Sequence, residues 1–376
     1  MSAEERNRYF DRLTNRPGLR WMGQNTNHIA LPPAVTEAMS ASIASEDIRM
    51  YAPPLGIEAL RAAIVAEFGV PNLAALLTDG GVEGLYHLCH TFLRAGDRLI
   101  TTDPGWKWPP LFAQAVGAEV VEIPIYDASC GYRLTAQALE AVMDEHVRAI
   151  YLVDPNNPLG TCVGDDDMQR IAGIAREYGA ILIHDCTYKH FAPDHVPAAR
   201  YYPEGTATIY SFSKWLGLAG MRLGAVVAAP AIIERLASAA PNSLGSNIVT
   251  QRGALAGLRV AESWFPHVQA VQRRNQAAIK ATADAIPGLH VPVFPSQGNF
   301  IVVECCAAGV RPEALVAALQ RHGIVIRQGS YHTPRFGDRF VKISTTVPES
   351  WADELCERLP DAIVEARADP ARDALY

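Results

Sequence analysis

The stretch "SFSKWLGLAGMRLG", residues 211–224, places two serines, a lysine, an arginine and three glycines at the end of the apolar run "ATIYSFS" (207–213). Only five of the 33 basic residues are lysines. A chain that uses arginine for ordinary charge has therefore put a primary amine at position 214. Polar and glycine residues at the end of an apolar run suit an open α/β sheet, where ligands gather at the carboxyl ends of strands.

Outward from this stretch, similar runs recur: "RLITTD" (98–103), "AEVVEIPI" (118–125), "RAIYLVD" (148–154), "AILIHD" (180–185) and "GAVVAA" (224–229). Several are apolar on both faces, as strands covered by helices on each side must be. Between them, "GVEGLYHLCHTFL" (81–93), "TAQALEAVMDE" (135–145) and "DDDMQRIAGIAREYG" (165–179) carry apolar residues at helical spacing. The last opens on acidic residues suited to a helix N-terminus. This alternation predicts an α/β fold with a mostly parallel, doubly wound sheet flanked by helices. From about 246 the pattern changes to a long helical stretch, a loop at 287–298 and then shorter strands and helices, which reads as a smaller α+β domain. The expected division is an N-terminal segment 1–45 packing on the small domain, a large domain 46–270 and a small domain 271–376.

Composition narrows the function. A net charge of -7 offers no basic stripe for a nucleic acid, and no run is long and apolar enough for a transmembrane helix. Neither nucleic acid nor membrane is an expected partner. The seven cysteines lack paired CxxC spacing, so neither a disulfide framework nor a metal site is suggested. Free thiols and a charged N-terminus point to the cytoplasm.

The strand ends supply the chemistry. Lys214, with Arg222 nearby, feels a like charge that lowers its pKa and frees a nucleophilic amine, which is a Schiff-base environment. "GGVEG" (80–84) opens a helix, so the N–H groups of Gly81 and Val82 could cradle a phosphate that Arg222 closes on. The alternative for these glycines is a tight turn. Asp185, at the end of "AILIHD", is a carboxylate that needs a cation if buried, such as a protonated ring nitrogen. Trp106 can stack on a flat cofactor or fill core. Asn157 and Tyr188 have plain alternatives as a turn residue and a half-buried aromatic.

Together these residues resemble the class I and II aminotransferases, pyridoxal-phosphate enzymes of fold type I. The quoted stretch matches the S-x-S-K-x-x-x-x-x-G-x-R-x-G signature, and the likeness runs from "YAPPLGIEALRAAI" (51–64) to "VKIS" (341–344). It is most similar to the histidinol-phosphate aminotransferase branch. The resemblance implies an aspartate aminotransferase-like fold and pyridoxal 5'-phosphate as cofactor. Lys214 is then the Schiff-base lysine and Asp185 the partner of the pyridine nitrogen. Asn157 and Tyr188 bond the phenolic oxygen, and Trp106 stacks on the ring. Gly81, Val82, Ser211, Ser213 and Arg222 surround the phosphate. Tyr51 matches a tyrosine that reaches the neighbouring subunit's phosphate, which implies a homodimer with shared sites. The implied reaction moves an amino group from a small amino acid or amino phosphate donor to a keto acid acceptor.

Two departures bear on substrate. Leu159 replaces the family's threonine in "DPNNPLG" (154–160), a packing change. Lys342 stands where relatives carry the arginine that grips the substrate carboxylate with two parallel hydrogen bonds, and the two side chains are not equivalent there. Lys342 then binds a carboxylate as a point charge, or the substrate's anion is gripped elsewhere, with Arg327 a candidate, or the reaction is a decarboxylation, elimination or cyclisation. A tolerated substitution is the fourth reading. The segment "GQNTNHIA" (23–30) occupies the place of a substrate-covering stretch, making Asn25, Asn27 and His28 candidate contacts. A non-catalytic cofactor-binding protein is the rival outside enzymology.

Overall fold

A computed structural model describes residues 2–239 and 244–368. In chain order its strands are β1 (Arg20–Trp21), β2 (Ala74–Thr78), β3 (Arg98–Asp103), β4 (Glu119–Pro124), β5 (Val147–Val153) and β6 (Ile181–Asp185). They continue as β7 (Thr206–Ser211), β8 (Gly224–Ala228), β9 (Phe300–Glu304), β10 (Ile324–Val325), β11 (Arg327–Gln328) and β12 (Phe340–Ser344). Seven of them form one sheet in the order β2-β8-β7-β6-β5-β3-β4. The pairs from β7 through β4 are parallel, and only β8 runs antiparallel to its neighbours β7 and β2. The mostly parallel α/β sheet expected from the apolar runs is present.

Alternation along each strand distributes its side chains between two cores. On β5, Ala149, Tyr151 and Val153 join one buried cluster, and Ile150 and Leu152 join another. On β6, Ile181 and Ile183 face the first and Leu182 the second. Helices close both faces. Asp165–Glu177 starts on three aspartates at the positive end of its dipole and ends near Arg176, with Met168, Ile171, Ala172 and Ala175 turned inward.

The long helix Ile248–Ala285 is capped by Asn247, whose side chain accepts the N–H of Thr250 at 2.9 Å. It runs past position 270 and carries the chain to a third buried cluster around the sheet β11-β12-β9. The N-terminal segment divides between the cores. β1 pairs in parallel with β10, and the helix Pro33–Ala44 puts Val35 and Met39 against the first cluster. Leu159 is buried in the second cluster, as a packing residue is. No helix among the described residues is long and apolar enough to cross a membrane.

Candidate active site

The parallel strands end on one edge, and the residues just beyond them meet in a single cavity between the two sheets. Asp185 shares the strand parity of Ile181 and Ile183, so it turns to the same face as Tyr151 of β5. Tyr151 donates to Asp185 Oδ2 at 3.0 Å, and Thr187 donates to Oδ1 through its hydroxyl at 2.6 Å and its N–H at 3.1 Å. These donors are neutral. Burial, the largest influence, raises the Asp185 carboxyl above its usual range despite them. A cationic partner is what this carboxylate lacks.

Lys214 follows β7 and projects into the same cavity, its ammonium 3.1 Å from the carbonyl of Gln24. The residue is only half-buried because it opens onto the cavity, yet it is walled by protein on its other sides. Burial and then Arg222 bring its pKa down to about 8, with Asp185 pulling weakly the other way. On a third side, Asn25 Nδ2 reaches Tyr188 Oη at 2.9 Å and Asn157 Oδ1 at 3.4 Å. Those two polar groups, from the ends of β6 and β5, are thereby aimed at one point. Trp106 and Val82 also line the cavity.

The helix Gly81–Phe92 begins here, and no side chain caps its first turn from Gly80. Its exposed N–H groups form an anion site. Gly80 has φ 88°, and a Cβ there would lie 2.4 Å from the Arg222 guanidinium. Glycine is thus required for Arg222 to lie across the helix end, where it donates to the Asp79 carbonyl at 3.2 Å. Arg222 itself takes a left-handed φ of 51°, which turns it back toward the sheet. Ser211 and Ser213 are buried beside it, the Ser213 N–H donating to Ser211 Oγ at 3.2 Å.

Opposite this cradle lies a cationic corner. Arg327 of β11 and Lys342 of β12 are register partners across an antiparallel pair, and both are buried. Lys342 Nζ donates to Asn157 Oδ1 at 3.1 Å. Burial, Arg327 and Lys214 hold its amine well below the usual lysine range. Arg327 donates to the Gly23 carbonyl at 3.2 Å and stacks over Tyr331 at 4.3 Å. Arg339 points elsewhere, paired with Glu304 at 2.9 Å.

Three expected positions do not face this cavity. His28 is exposed, bonded to Thr26 Oγ1 at 2.8 Å and packed on Trp351 at 5.1 Å. The left-handed φ of 54° at Asn25 turns the chain, so Asn25 enters the cavity and His28 leaves it. Asn27 is likewise structural, donating to the Trp215 carbonyl at 2.9 Å. Tyr51 is 79% exposed on the outer surface of the chain. Conversely, sequence reasoning missed Tyr151, Thr187, Tyr331 and His332. Tyr151 sits inside an unbroken apolar run and gave no signal. Thr187 sits two residues past Asp185, where a hydroxyl beside a buried carboxylate was the available clue.

An open, mostly parallel sheet with a buried amine, a buried carboxylate and a helix-end anion cradle at its carboxyl edge defines a cofactor-dependent enzyme of the aspartate aminotransferase fold. The model of aminotransferase class I and II matches residues 19–359, and the chain belongs to that family. It is 26% identical over 330 residues to a histidinol-phosphate aminotransferase of Akkermansia muciniphila, covering 87% of this chain and 85% of that one. It is equally 26% identical over 372 residues to an aspartate aminotransferase of Pyrococcus horikoshii, covering 94% and 93%. Aspartate aminotransferase from Thermus thermophilus with maleate superposes with a TM-score of 0.84 at 22% identity, over 96% of this chain and 97% of that one, a likeness of fold. The chain is therefore an aminotransferase that works with pyridoxal 5'-phosphate, and the lyase, decarboxylase or cyclase reading is not favoured. The cavity fits that cofactor: a cradle that a Cβ at Gly80 would fill, a carboxylate without a cation for the ring nitrogen, and an amine of lowered pKa.

Proposed function

We propose that this chain moves an amino group from a small amino acid or amino phosphate to a keto acid, with Lys214 as the covalent anchor of the cofactor and the proton carrier. The meeting of Lys214 and Asp185 in one cavity, the amine shifted toward its neutral form and the buried carboxylate lacking a cation, carries the reading. Bound pyridoxal phosphate supplies a carbonyl carbon for the amine and a ring that accepts electrons.

The protein's part is positioning and proton transfer. Asp185, held by Tyr151 and Thr187, pairs with the protonated ring nitrogen. Asn157 and Tyr188, aligned through Asn25, bond the phenolic oxygen, and Trp106 covers the ring. Gly81, Val82, Ser211, Ser213 and Arg222 hold the phosphate. Lys214, when not bonded to the cofactor, would be placed to carry a proton to and from the substrate Cα. Lys342 binds the substrate carboxylate, with Arg327 beside it as a second anion grip. An arriving anion raises the pKa of the Lys342 amine and so favours its charged form.

Two identical subunits share the sites, with Tyr51 reaching the partner's phosphate cradle. The exposure of Tyr51 beside exposed Met50 and Ile48 supports this arrangement. The free cysteines suit a cytoplasmic setting.

The test is a half-reaction screen. Holoenzyme is mixed with single amino acids and amino phosphates and conversion of the cofactor to pyridoxamine phosphate is followed by absorbance. At least one donor converts it. Release of ammonia or carbon dioxide without that conversion contradicts the proposal.

A further inference from the structure

The loop between β11 and β12 is folded tightly over the cavity. A Cβ on Gly329 would lie 2.6 Å from the Gly337 carbonyl, and one on Gly337 would lie 2.3 Å from the Thr333 carbonyl. The two glycines let the backbone close on itself, and Arg335 ties the loop to Asp103 at 3.5 Å. The loop presents His332 to the cavity, 6% exposed.

Neither ring nitrogen of His332 completes a hydrogen bond, although the Gly105 backbone lies close by. A buried polar atom left unpaired is destabilising, and the imidazole of His332 offers two. Its charged neighbours are Lys342, Arg327 and Lys107, all of one sign. The cation that grips one carboxylate is already supplied by Lys342. The corner therefore holds more positive charge and more hydrogen-bonding capacity than a single carboxylate uses.

We infer that His332, with Arg327, binds a second acidic group on the substrate, so that the preferred substrates carry a side-chain carboxylate or phosphate in addition to the α-carboxylate or its equivalent. This rests on the aminotransferase reading above and adds a specificity-determining residue to it. His332 donates to the incoming oxyanion, a charge-assisted hydrogen bond that a phenyl ring cannot make. A cationic side chain is excluded, because it meets only like charges there.

The test separates binding from turnover. Holoenzyme is titrated with an unreactive four-carbon dicarboxylate, with a monocarboxylate and with inorganic phosphate, read by the cofactor absorbance. The wild type binds the dicarboxylate at least about tenfold more tightly than the monocarboxylate, and His332→Phe removes that margin. His332→Asn, which keeps a donor, restores part of it. In turnover, His332→Phe raises KM about tenfold to a hundredfold for donors with an acidic side chain and leaves donors with neutral side chains unchanged, with kcat nearly constant. Donors bearing a phosphate are compared with those bearing a carboxylate to decide which group fits. Equal binding of mono- and dicarboxylates by the wild type, or an equal loss for every ligand in His332→Phe, overturns the inference. Retained discrimination in binding with no amino transfer from any donor instead overturns the reaction reading alone.

Discussion

The nucleophilicity of Lys214 is open to direct measurement through pH. An ordinary lysine has its amine half-neutral at 10.5, and burial with Arg222 brings Lys214 to about 8. That difference is worth about 3 kcal/mol between its two protonation states. At pH 7 roughly one Lys214 in ten is neutral, against about one in three thousand for a free lysine, a gain of about three hundredfold in reactive amine. Cofactor-stripped protein is mixed with excess pyridoxal, which lacks the phosphate and so does not depend on the cradle, and covalent addition is followed by absorbance. The rate rises about tenfold per pH unit up to roughly 8 and flattens above it. In Arg222→Gln the second-largest cause of the shift is gone, and the midpoint moves upward. A rate that keeps rising through pH 10 in the wild type refutes the environment assigned to Lys214.

Three further outcomes follow from the geometry. Burial, Arg327 and Lys214 hold the Lys342 amine well below the usual lysine range, so it loses its charge earlier than an ordinary lysine as pH rises and KM for the amino donor rises with it; in Lys342→Arg, whose charge is permanent, that rise disappears. Tyr151→Phe removes the bond to Asp185 Oδ2 without changing volume much. It lowers kcat or cofactor affinity about tenfold to a hundredfold, checked by steady-state kinetics and equilibrium dialysis of the cofactor. Burial pushes the Glu67 carboxyl up, but His190 and Lys189 outweigh it and hold it at about 2, below its ordinary 4.5. Its contribution is complete above pH 4.5 and is lost as pH falls toward 2. Glu67→Gln then destabilises the protein at neutral pH, and chemical denaturation across pH shows that cost shrinking in acid.

Much of the fold was legible because its strands are short, β-branched and apolar on both faces. β6, "ILIHD", is buried throughout, and such a run cannot face water. β2, "AALLT", escaped because alanine and leucine carry no strand signal. The direction of β8 could not be read, since the loop at 212–223 fixes it through tertiary contacts. In the site, cofactor-facing positions stood out because their chemistry is costly to bury. Asp185 and Lys214 are expensive in any core, so their placement needed a reason. His28 misled because proximity in sequence to Asn25 says nothing of direction once a left-handed residue turns the chain. His332 was invisible for the opposite reason: only the fold brings it beside Lys342 and Arg327.

The central claim is that one lysine of five forms the bond to the cofactor. Reduction of the holoenzyme with borohydride fixes that bond, and peptide mass mapping then finds its position. The account predicts the pyridoxyl mass on the peptide carrying Lys214 and on no other. The same mass on Lys107, Lys189, Lys280 or Lys342, or on no lysine at all, contradicts it.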